Sequence, residues 1–379
     1  MTDGTRPTDR TTEGSSAPNY VAELIQAGGS DPARQVPATA TDGRDRPLIV
    51  GIDVGGSKIA VLVVDGDERV LAREIAATGV IATERAVDEI AAVVDLALTT
   101  AGATIDDVAA LGVGVPGRVD PETGAVTLAV NLGWSDLPLG GRLEARFGRP
   151  VRVENDVRAA ALGLHRRRVV GAIDDLAYLA VGTGVSAGIV LDGRLHRGAR
   201  GLAGEIGHLV VDPDGVRCAC GQRGCLETLV SGRAIARLAN EAVDAGRPTV
   251  LAADPARSAI DVYRAAATGD PLAVEIAEGV GARLAWAVHL LVMTYDVERV
   301  VLGGGVSHAG DAFERPIQRE LDRMRESSAL ASEQLVPAIV DLLPPDANAG
   351  AWGAVTIAAT AHARLGSGQG WEVGHVRET

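Results

Sequence analysis

The chain has 379 residues, of which 46% are hydrophobic and 23% charged, and this composition excludes a disordered chain and a small disulfide-stapled scaffold. Its 36 basic and 50 acidic residues give a formal charge of −14, which disfavours nucleic acid and anionic lipid as partners. All three cysteines fall within residues 218–225, and an odd, clustered set indicates a metal site rather than a disulfide framework.

The two ends of the chain differ in composition from its middle. Residues 1–46 and 366–379 are rich in Gly, charged and small polar residues, and both are predicted to be disordered tails. No secretory signal is recognised, and no apolar run reaches the roughly 18 residues of a membrane-spanning helix. We therefore expect a cytoplasmic protein without a membrane partner, folded between residues 47 and 365.

The folded part begins with a β-rich segment. Two apolar runs around a Gly-Gly turn predict a hairpin, and a third strand, a helix and a further strand follow. The predicted order is therefore βββαβ, over residues 48–53, 58–64, 69–76, 84–100 and 108–116.

The hairpin turn reads Asp53-Val54-Gly55-Gly56-Ser57-Lys58, and Lys58 is the only lysine of the chain. Glycine N–H groups with a nearby hydroxyl and ammonium suit phosphate oxygens, and Asp53 is placed to hold a hydrated Mg²⁺. The alternative is a plain hairpin turn. A P-loop or Rossmann turn is excluded because a strand, not a helix, follows the glycines.

A second motif, Glu154-Asn155-Asp156, follows the short strand 151–153 and precedes a predicted helix at 157–164. A carboxylate at the carboxyl end of a strand lies where α/β sheets bind ligands, so Asp156 is a candidate general base for a hydroxyl proton. The alternative is that Asp156 caps the helix.

Similar elements recur downstream, which predicts a duplicated α/β fold of two lobes, each built on a mixed sheet. A final helix over 347–362 is expected to pack on the first lobe. The other predicted elements are strands at 176–183, 187–191 and 194–197, a helix at 271–296 and a strand at 299–302.

Two more glycine turns follow strands of the second repeat. Gly182-Thr183-Gly184 corresponds to the first hairpin turn, and a pair of such turns is expected to close around the phosphates of a nucleotide. Gly303-Gly304-Gly305 would lie under the adenosine, although by itself it is also compatible with an ordinary αL turn.

The most specific motif is His208 followed by Cys218, Cys220 and Cys225. Four such ligands in one loop fit tetrahedral Zn²⁺ in a closed, structural site with no position for an activated water. A reactive thiol is the alternative, but it would not need three sulfurs and a histidine. The flanking Glu205 and Glu227 are placed to bind vicinal sugar hydroxyls, or else are solvated surface charges.

Taken in order, these motifs closely resemble those of the ROK family of bacterial sugar kinases and repressors. The resemblance extends over residues 47–365, and the His/Cys loop is its most specific part. It implies an RNase H-like (hexokinase/actin-like ATPase) fold with a ligand cleft between two lobes. The implied boundaries are 47–120 plus 347–365 for the small lobe and 121–346 for the large lobe, with the zinc loop at 203–228.

The resemblance also implies roles for individual residues. Asp156 would be the general base, and His208 would use one ring nitrogen for zinc and the other for a sugar hydroxyl. The implied hexose-binding residues are Gly117, Asn131, Asn155, Asp156, Glu205, His208 and Glu227. The implied nucleotide-binding residues are Asp53, Gly55, Gly56, Ser57, Lys58, Gly182, Thr183, Gly184, Gly303 and Gly304. The implied metal ligands are His208, Cys218, Cys220 and Cys225.

The activity implied is phosphorylation of the 6-hydroxyl of a hexose, glucose first, with ATP, Mg²⁺ and a structural Zn²⁺, in a homodimer or homotetramer. The alternatives are an N-acetylmannosamine or N-acetylglucosamine kinase, a sugar-responsive ROK transcriptional regulator, and a sugar sensor without catalysis. The tail at 1–46 is shorter and less basic than the DNA-binding domain expected of such a regulator. The presence of Asp156 favours an enzyme over a sensor.

Overall fold

The computed structural model describes residues 47–77, 83–253, 255–344 and 346–366, so the predicted tails lie outside the described residues except for Gly366. The strands are β1 Leu48–Val54, β2 Lys58–Val64, β3 Val70–Ala77, β4 Val108–Val115, β5 Arg118–Val119, β6 Val126–Ala129, β7 Trp134–Leu137, β8 Val151–Asn155, β9 Leu176–Val181, β10 Val185–Leu191, β11 Arg194–His196, β12 Arg299–Gly303 and β13 Val340–Leu342. The helices are α1 Ala86–Thr100, α2 Leu139–Phe147, α3 Asp156–Arg166, α4 Glu227–Val230, α5 Gly232–Asp244, α6 Ala259–Ala267, α7 Pro271–Tyr295, α8 Asp311–Ser327, α9 Ala329–Gln334 and α10 Ala349–Gly366.

Two mixed sheets in the described part of the chain share one topology. The first has the order β3-β2-β1-β4-β8 and the second β11-β10-β9-β12-β13. In each, a hairpin and a third antiparallel strand are followed by two parallel strands. The predicted duplication and α/β class are confirmed. A small antiparallel sheet, β5-β6-β7, lies outside the repeat.

The side chains of β1 and β4 alternate between two different helical layers because successive residues of a strand point to opposite faces. Val50 and Ile52 pack with α1, whereas Ile49 faces α10. The α10 face is lined by small residues, among them Ala110 and Gly112 of β4, so the helix lies close to the sheet. As predicted, the last helix packs on the first sheet.

The second sheet is likewise covered on both faces. Helices α5 to α8 bury one face, and α3 packs on the other through Ala160, Ala161 and Leu164. Helices α3 and α10 are therefore the shared layer between the two sheets.

The backbones of α3 and α10 meet at two glycines. A Cβ added at Gly163 would lie 2.6 Å from the nitrogen of Gly353, and one added at Gly353 would collide with the carbonyl of Ala159. Only residues without a side chain allow this approach. The two helices are therefore fixed with respect to each other by contact between their backbones.

Strand β8 pairs in parallel with β4, with Val153 opposite Val113. Residues 151–155 are thus part of the first sheet, although the sequence-based boundaries assign them to the large lobe at 121–346. The division into lobes at residue 120 remains a prediction.

Among the described residues, α7 is long and apolar enough to span a membrane, with a mean hydropathy of 1.4, but half of that apolar stretch is buried within the protein. Its apolar residues are interrupted by Glu275, Glu278 and Arg283, which is why no uninterrupted run of 18 appears in the sequence. Leu284, Val288 and Leu291 are fully buried in the core of the second sheet. We therefore interpret α7 as a core helix of the second sheet.

Substitution of Gly353 by Ala tests the contact between α3 and α10. We expect the free energy of unfolding to fall by about 1–3 kcal/mol, because the new methyl group overlaps the Ala159 carbonyl. This loss should outweigh the roughly 1 kcal/mol that Ala gains over Gly in a helix. Thermal or urea unfolding measures the change.

The matched control is Gly141→Ala in α2, where a Cβ would meet no atom within 4 Å and the residue is exposed. This variant should be as stable as the parent or slightly more stable. Equal stability of the Gly353→Ala variant and the control would show that the backbones of α3 and α10 need not touch.

Candidate active site

The first glycine turn lies at the end of β1. The N–H of Gly55 donates to the carbonyl of Lys58 at 2.8 Å, which closes the hairpin, and Ser57 and Lys58 are exposed. The Asp53 carboxylate lies against the first turn of α10, where a Cβ at Gly350 would overlap its oxygens. Burial raises the pKa of Asp53 to about 6, although the charge of Lys58 lowers it.

The general-base candidate stands at the first turn of α3. The helix is capped by Asn155, whose Oδ1 accepts from the N–H of Arg158 at 3.0 Å, so the alternative that Asp156 is the cap is wrong. Asp156 is instead the first helical residue. Burial, together with the charge of Asp53, raises the pKa of Asp156 to about 7.

Asp53 and Asp156 both lie close to Gly114 of β4. A Cβ at Gly114 would lie 3.8 Å from Oδ1 of Asp53 and 3.5 Å from the Cα of Asp156. The charge of Asp53 disfavours ionisation of Asp156, so these two partly buried carboxylates resist simultaneous ionisation unless a cation joins them. They also raise the pKa of the buried Tyr178 phenol, after the larger effect of its burial.

The second glycine turn is supported from behind. The carbonyl of Gly182 accepts from the N–H of Gly232 at 2.8 Å, which ties the turn to the start of α5. Glu227 accepts from the N–H of Val185 at 3.0 Å, and a Cβ at Gly184 would lie 2.5 Å from its Oε2. One oxygen of Glu227, a predicted sugar contact, therefore holds this turn in place.

Both turns open into one cleft of about 940 Å³. Six of the predicted nucleotide-binding residues line it, namely Asp53, Ser57, Lys58, Gly182, Thr183 and Gly304. The other four, Gly55, Gly56, Gly184 and Gly303, lie in the same turns but are not part of the lining. The turns therefore meet as predicted, although not every glycine in them faces the cleft.

The backbone of Gly304 excludes the αL-turn interpretation of its motif. Its φ of 89° and ψ of 174° are not αL, and a Cβ would lie 2.5 Å from the carbonyl of Val181. A glycine is therefore needed for the chain to pass close to β9 along the cleft wall.

Several residues of the cleft were not singled out in the sequence. Arg233 lies at the start of α5 and Ser258 caps α6, and both line the cleft. His308 lines it too, and its pKa is lowered by burial and by the charge of Lys58. These residues belong to none of the predicted motifs and come from widely separated segments, so only the fold identifies them.

The predicted hexose-binding residues are positioned by backbone contacts. The carbonyl of Gly117, a residue with a φ of 95°, accepts from the Asn155 amide at 3.1 Å. Gly204 and Gly207 let the segment that carries Glu205 and His208 lie directly on β10, since a Cβ on either would collide with a carbonyl of that strand. Asn131 is exposed on the loop after β6, and its Oδ1 accepts from Arg233 at 3.5 Å.

The His/Cys motif forms a compact cluster. One donor atom each of His208, Cys218, Cys220 and Cys225 lies within 4.8 Å of all the others. The Sγ atoms of Cys220 and Cys225 are 3.6 Å apart, and Sγ of Cys218 is 3.7 Å from Nδ1 of His208. Zinc–sulfur bonds of 2.3 Å in a tetrahedron require sulfurs roughly 3.8 Å apart, so the cluster fits this metal.

Comparison with known proteins is consistent with this geometry. The ROK family model matches residues 49–361. A glucokinase from Halalkalibacterium halodurans is 36% identical over 280 residues, 72% of this chain and 84% of that protein. The crystal structure of a ROK family glucokinase from Streptomyces griseus with glucose and AMPPNP has a TM-score of 0.70 at 34% identity and covers 83% of this chain and 99% of that one. A xylose repressor from Caldicellulosiruptor bescii is 30% identical over 327 residues, 81% of this chain and 78% of that protein.

Asp156→Asn should stabilise the protein in Mg²⁺-free buffer above pH 7. The carboxyl has a pKa near 3.8 in the unfolded chain and about 7 in the folded one, so folding favours its protonated form. Its contribution to stability is complete below pH 4 and is lost as the pH rises to 7. Asn does not ionise, and the variant should gain roughly 1–4 kcal/mol over the parent across this range.

Unfolding by urea at pH 4, 6 and 8 measures the difference. The control is Asp192→Asn, an exposed turn residue with a φ of 50° that Asn tolerates, and it should show no such trend. A variant at Asp156 that is less stable than the parent at pH 8 would contradict the electrostatic description of the site.

Proposed function

The chain belongs to the ROK family, and we propose that it is an ATP-dependent hexose kinase that phosphorylates the 6-hydroxyl of glucose with Asp156 as the general base. The observation that carries the proposal is one cleft lined by two glycine turns, Lys58 and Asp53, with Asp156 close to Asp53 beside Gly114 of β4. Relatives at 36% identity that are glucokinases support glucose as the hexose.

Phosphoryl transfer asks the protein mainly to position the reactants and to balance charge. The N–H groups of the two turns and the Lys58 ammonium would bind the phosphates of ATP across the cleft. Asp156 would accept the proton of the attacking hydroxyl. A base whose pKa is about 7 is well matched to this transfer near neutral pH.

We propose that Asp53 holds Mg²⁺. Burial raises the pKa of Asp53, and the charge of Asp53 in turn raises the pKa of Asp156, so a bound cation would favour the ionised form of both carboxylates. Carboxylates are preferred ligands of Mg²⁺, which would neutralise charge on the phosphates.

We also propose that the cluster of His208, Cys218, Cys220 and Cys225 binds one structural Zn²⁺. Nδ1 of His208 faces the cysteines, which leaves Nε2 for a sugar hydroxyl. The metal would hold Glu205 and His208 beside the glycine turn that Glu227 supports. The proposed hexose site therefore comprises Glu205, His208 and Glu227 together with Gly117, Asn131 and Asn155.

A homodimer or homotetramer in the cytoplasm is proposed from the family. In support, α7 and the neighbouring α9 expose the large apolar side chains Trp286, Met293 and Leu330. Sedimentation velocity would measure the assembly.

A sugar-responsive regulator is the second candidate because of the similarity to a xylose repressor, but Asp156 with its raised pKa favours an enzyme.

Asp156→Asn should lower kcat for glucose by roughly 10²- to 10⁴-fold, because the amide cannot accept the hydroxyl proton. Its KM values should change much less, since the shape of the site is retained. A coupled assay of ADP release measures both quantities, with Asp192→Asn as the control that keeps full activity. Undiminished turnover by the Asp156→Asn protein would exclude Asp156 as the base.

Purified protein should contain about one zinc per chain by elemental analysis. Cys225→Ser should lower the zinc content and the thermal midpoint and should raise KM for glucose more than KM for ATP, because the loop holds the sugar side of the site. The control is Gln222→Ala in the same loop, whose side chain is exposed. Far less than one equivalent of zinc in the parent protein would refute the metal site.

A further inference from the structure

A buried ionic cluster lies immediately before the general base in the chain. Glu154 in β8 is 2% exposed, and its two carboxylate oxygens are both used. Oε1 accepts from Nε of Arg158 at 2.8 Å and from the N–H of Asn155 at 2.9 Å. Oε2 accepts from Nε of Arg197 at 2.6 Å. The residues Glu154, Arg158 and Arg197 are called the Glu154 cluster below.

The members of the Glu154 cluster come from three elements that carry the site. Glu154 belongs to the first sheet, Arg158 to α3 and Arg197 to the loop directly after β11 of the second sheet. Arg158 also donates to the carbonyl of Gly201 at 2.6 Å, and Arg197 accepts at its own carbonyl from the N–H of Ala203 at 3.1 Å. The cluster thus connects the strand before Asp156 to the segment that leads to Glu205 and His208.

Stability alone does not account for these residues. Removing charges from water is costly, and buried ion clusters can often be replaced by apolar side chains without loss of stability. Burial would raise the pKa of Glu154, but the charges of Arg197 and Arg158 prevail and lower it, so the carboxylate stays ionised. What an ionic cluster provides is directed, short contacts that fix the geometry of the groups attached to it.

We propose that the Glu154 cluster positions the general base relative to the hexose-binding segment 201–208. The proposal rests on the hexose kinase function proposed above and names positioning residues, none of which contacts the substrate. The two glycine turns on the nucleotide side are held by other contacts, the bond from the N–H of Gly55 to the carbonyl of Lys58 and the bond from the N–H of Gly232 to the carbonyl of Gly182. Disturbing the cluster should therefore weaken hexose binding and slow the chemical step, and it should leave ATP binding intact.

Arg197→Met is the test, because it removes the contact with Glu154 while Arg197 is only partly buried and the fold should tolerate the change. A misplacement of about 1 Å can cost up to 10²-fold in rate, so we expect kcat/KM for glucose to fall roughly 10- to 100-fold. KM for ATP should stay within about twofold of the parent value. Arg197→Lys, which retains a charged donor, should recover most of the loss.

Arg194→Met, at an exposed residue of β11 three positions before Arg197, is the matched control and should match the parent. Thermal midpoints are measured for every variant. Parent-like kinetics of Arg197→Met, with or without a lower midpoint, would overturn the proposal and leave a structural role only. An equal rise in KM for glucose and KM for ATP, or no recovery with lysine, would also overturn it. Failure of the parent protein to phosphorylate any hexose would instead refute the proposed function.

Discussion

The contact between the backbones of α3 and α10 determines where the reactive groups lie. Asp156 is the first residue of α3, and Asp53 packs against Gly350 in the first turn of α10. Because Gly163 and Gly353 bring the helices into direct contact, the two helix starts cannot move independently. Each helix also packs on one of the sheets, so the same contact relates the glycine turn of the first sheet to that of the second.

This arrangement has an electrostatic cost that is informative about function. Two carboxylates with pKa values of about 6 and 7 are held near one another in a protein whose net charge is already −14. Nothing in folding requires such a pair, because apolar residues could fill the same space. In the proposed function, Asp53 would bind a magnesium ion with ATP, and Asp156 would accept a proton from a sugar hydroxyl. The only lysine of the chain, Lys58, lines the same cleft as Asp53, and its charge lowers the pKa of Asp53.

Much of this was predictable from the sequence, because the signals are local. Strand alternation and glycine turns gave the elements, and the spacing of His208 with the cysteines gave a cluster that the structure assembles. The helix cap was left open in the sequence, since Asn155 and Asp156 are equally good caps and only the backbone decides. Arg233, Ser258 and His308 could not be found because contacts between distant segments leave no local pattern. The Glu154 cluster was missed for the same reason.

Product analysis tests most directly whether this cleft phosphorylates a hexose. The protein would be incubated with MgATP and, in turn, with glucose, mannose, fructose, N-acetylglucosamine and N-acetylmannosamine, with ADP measured and the sugar product identified by phosphorus NMR. We expect equal amounts of ADP and a 6-phosphorylated sugar, formed fastest from glucose. Absence of ADP release with every sugar would contradict the kinase function, and a faster reaction with an N-acetylated sugar would contradict the assignment of glucose.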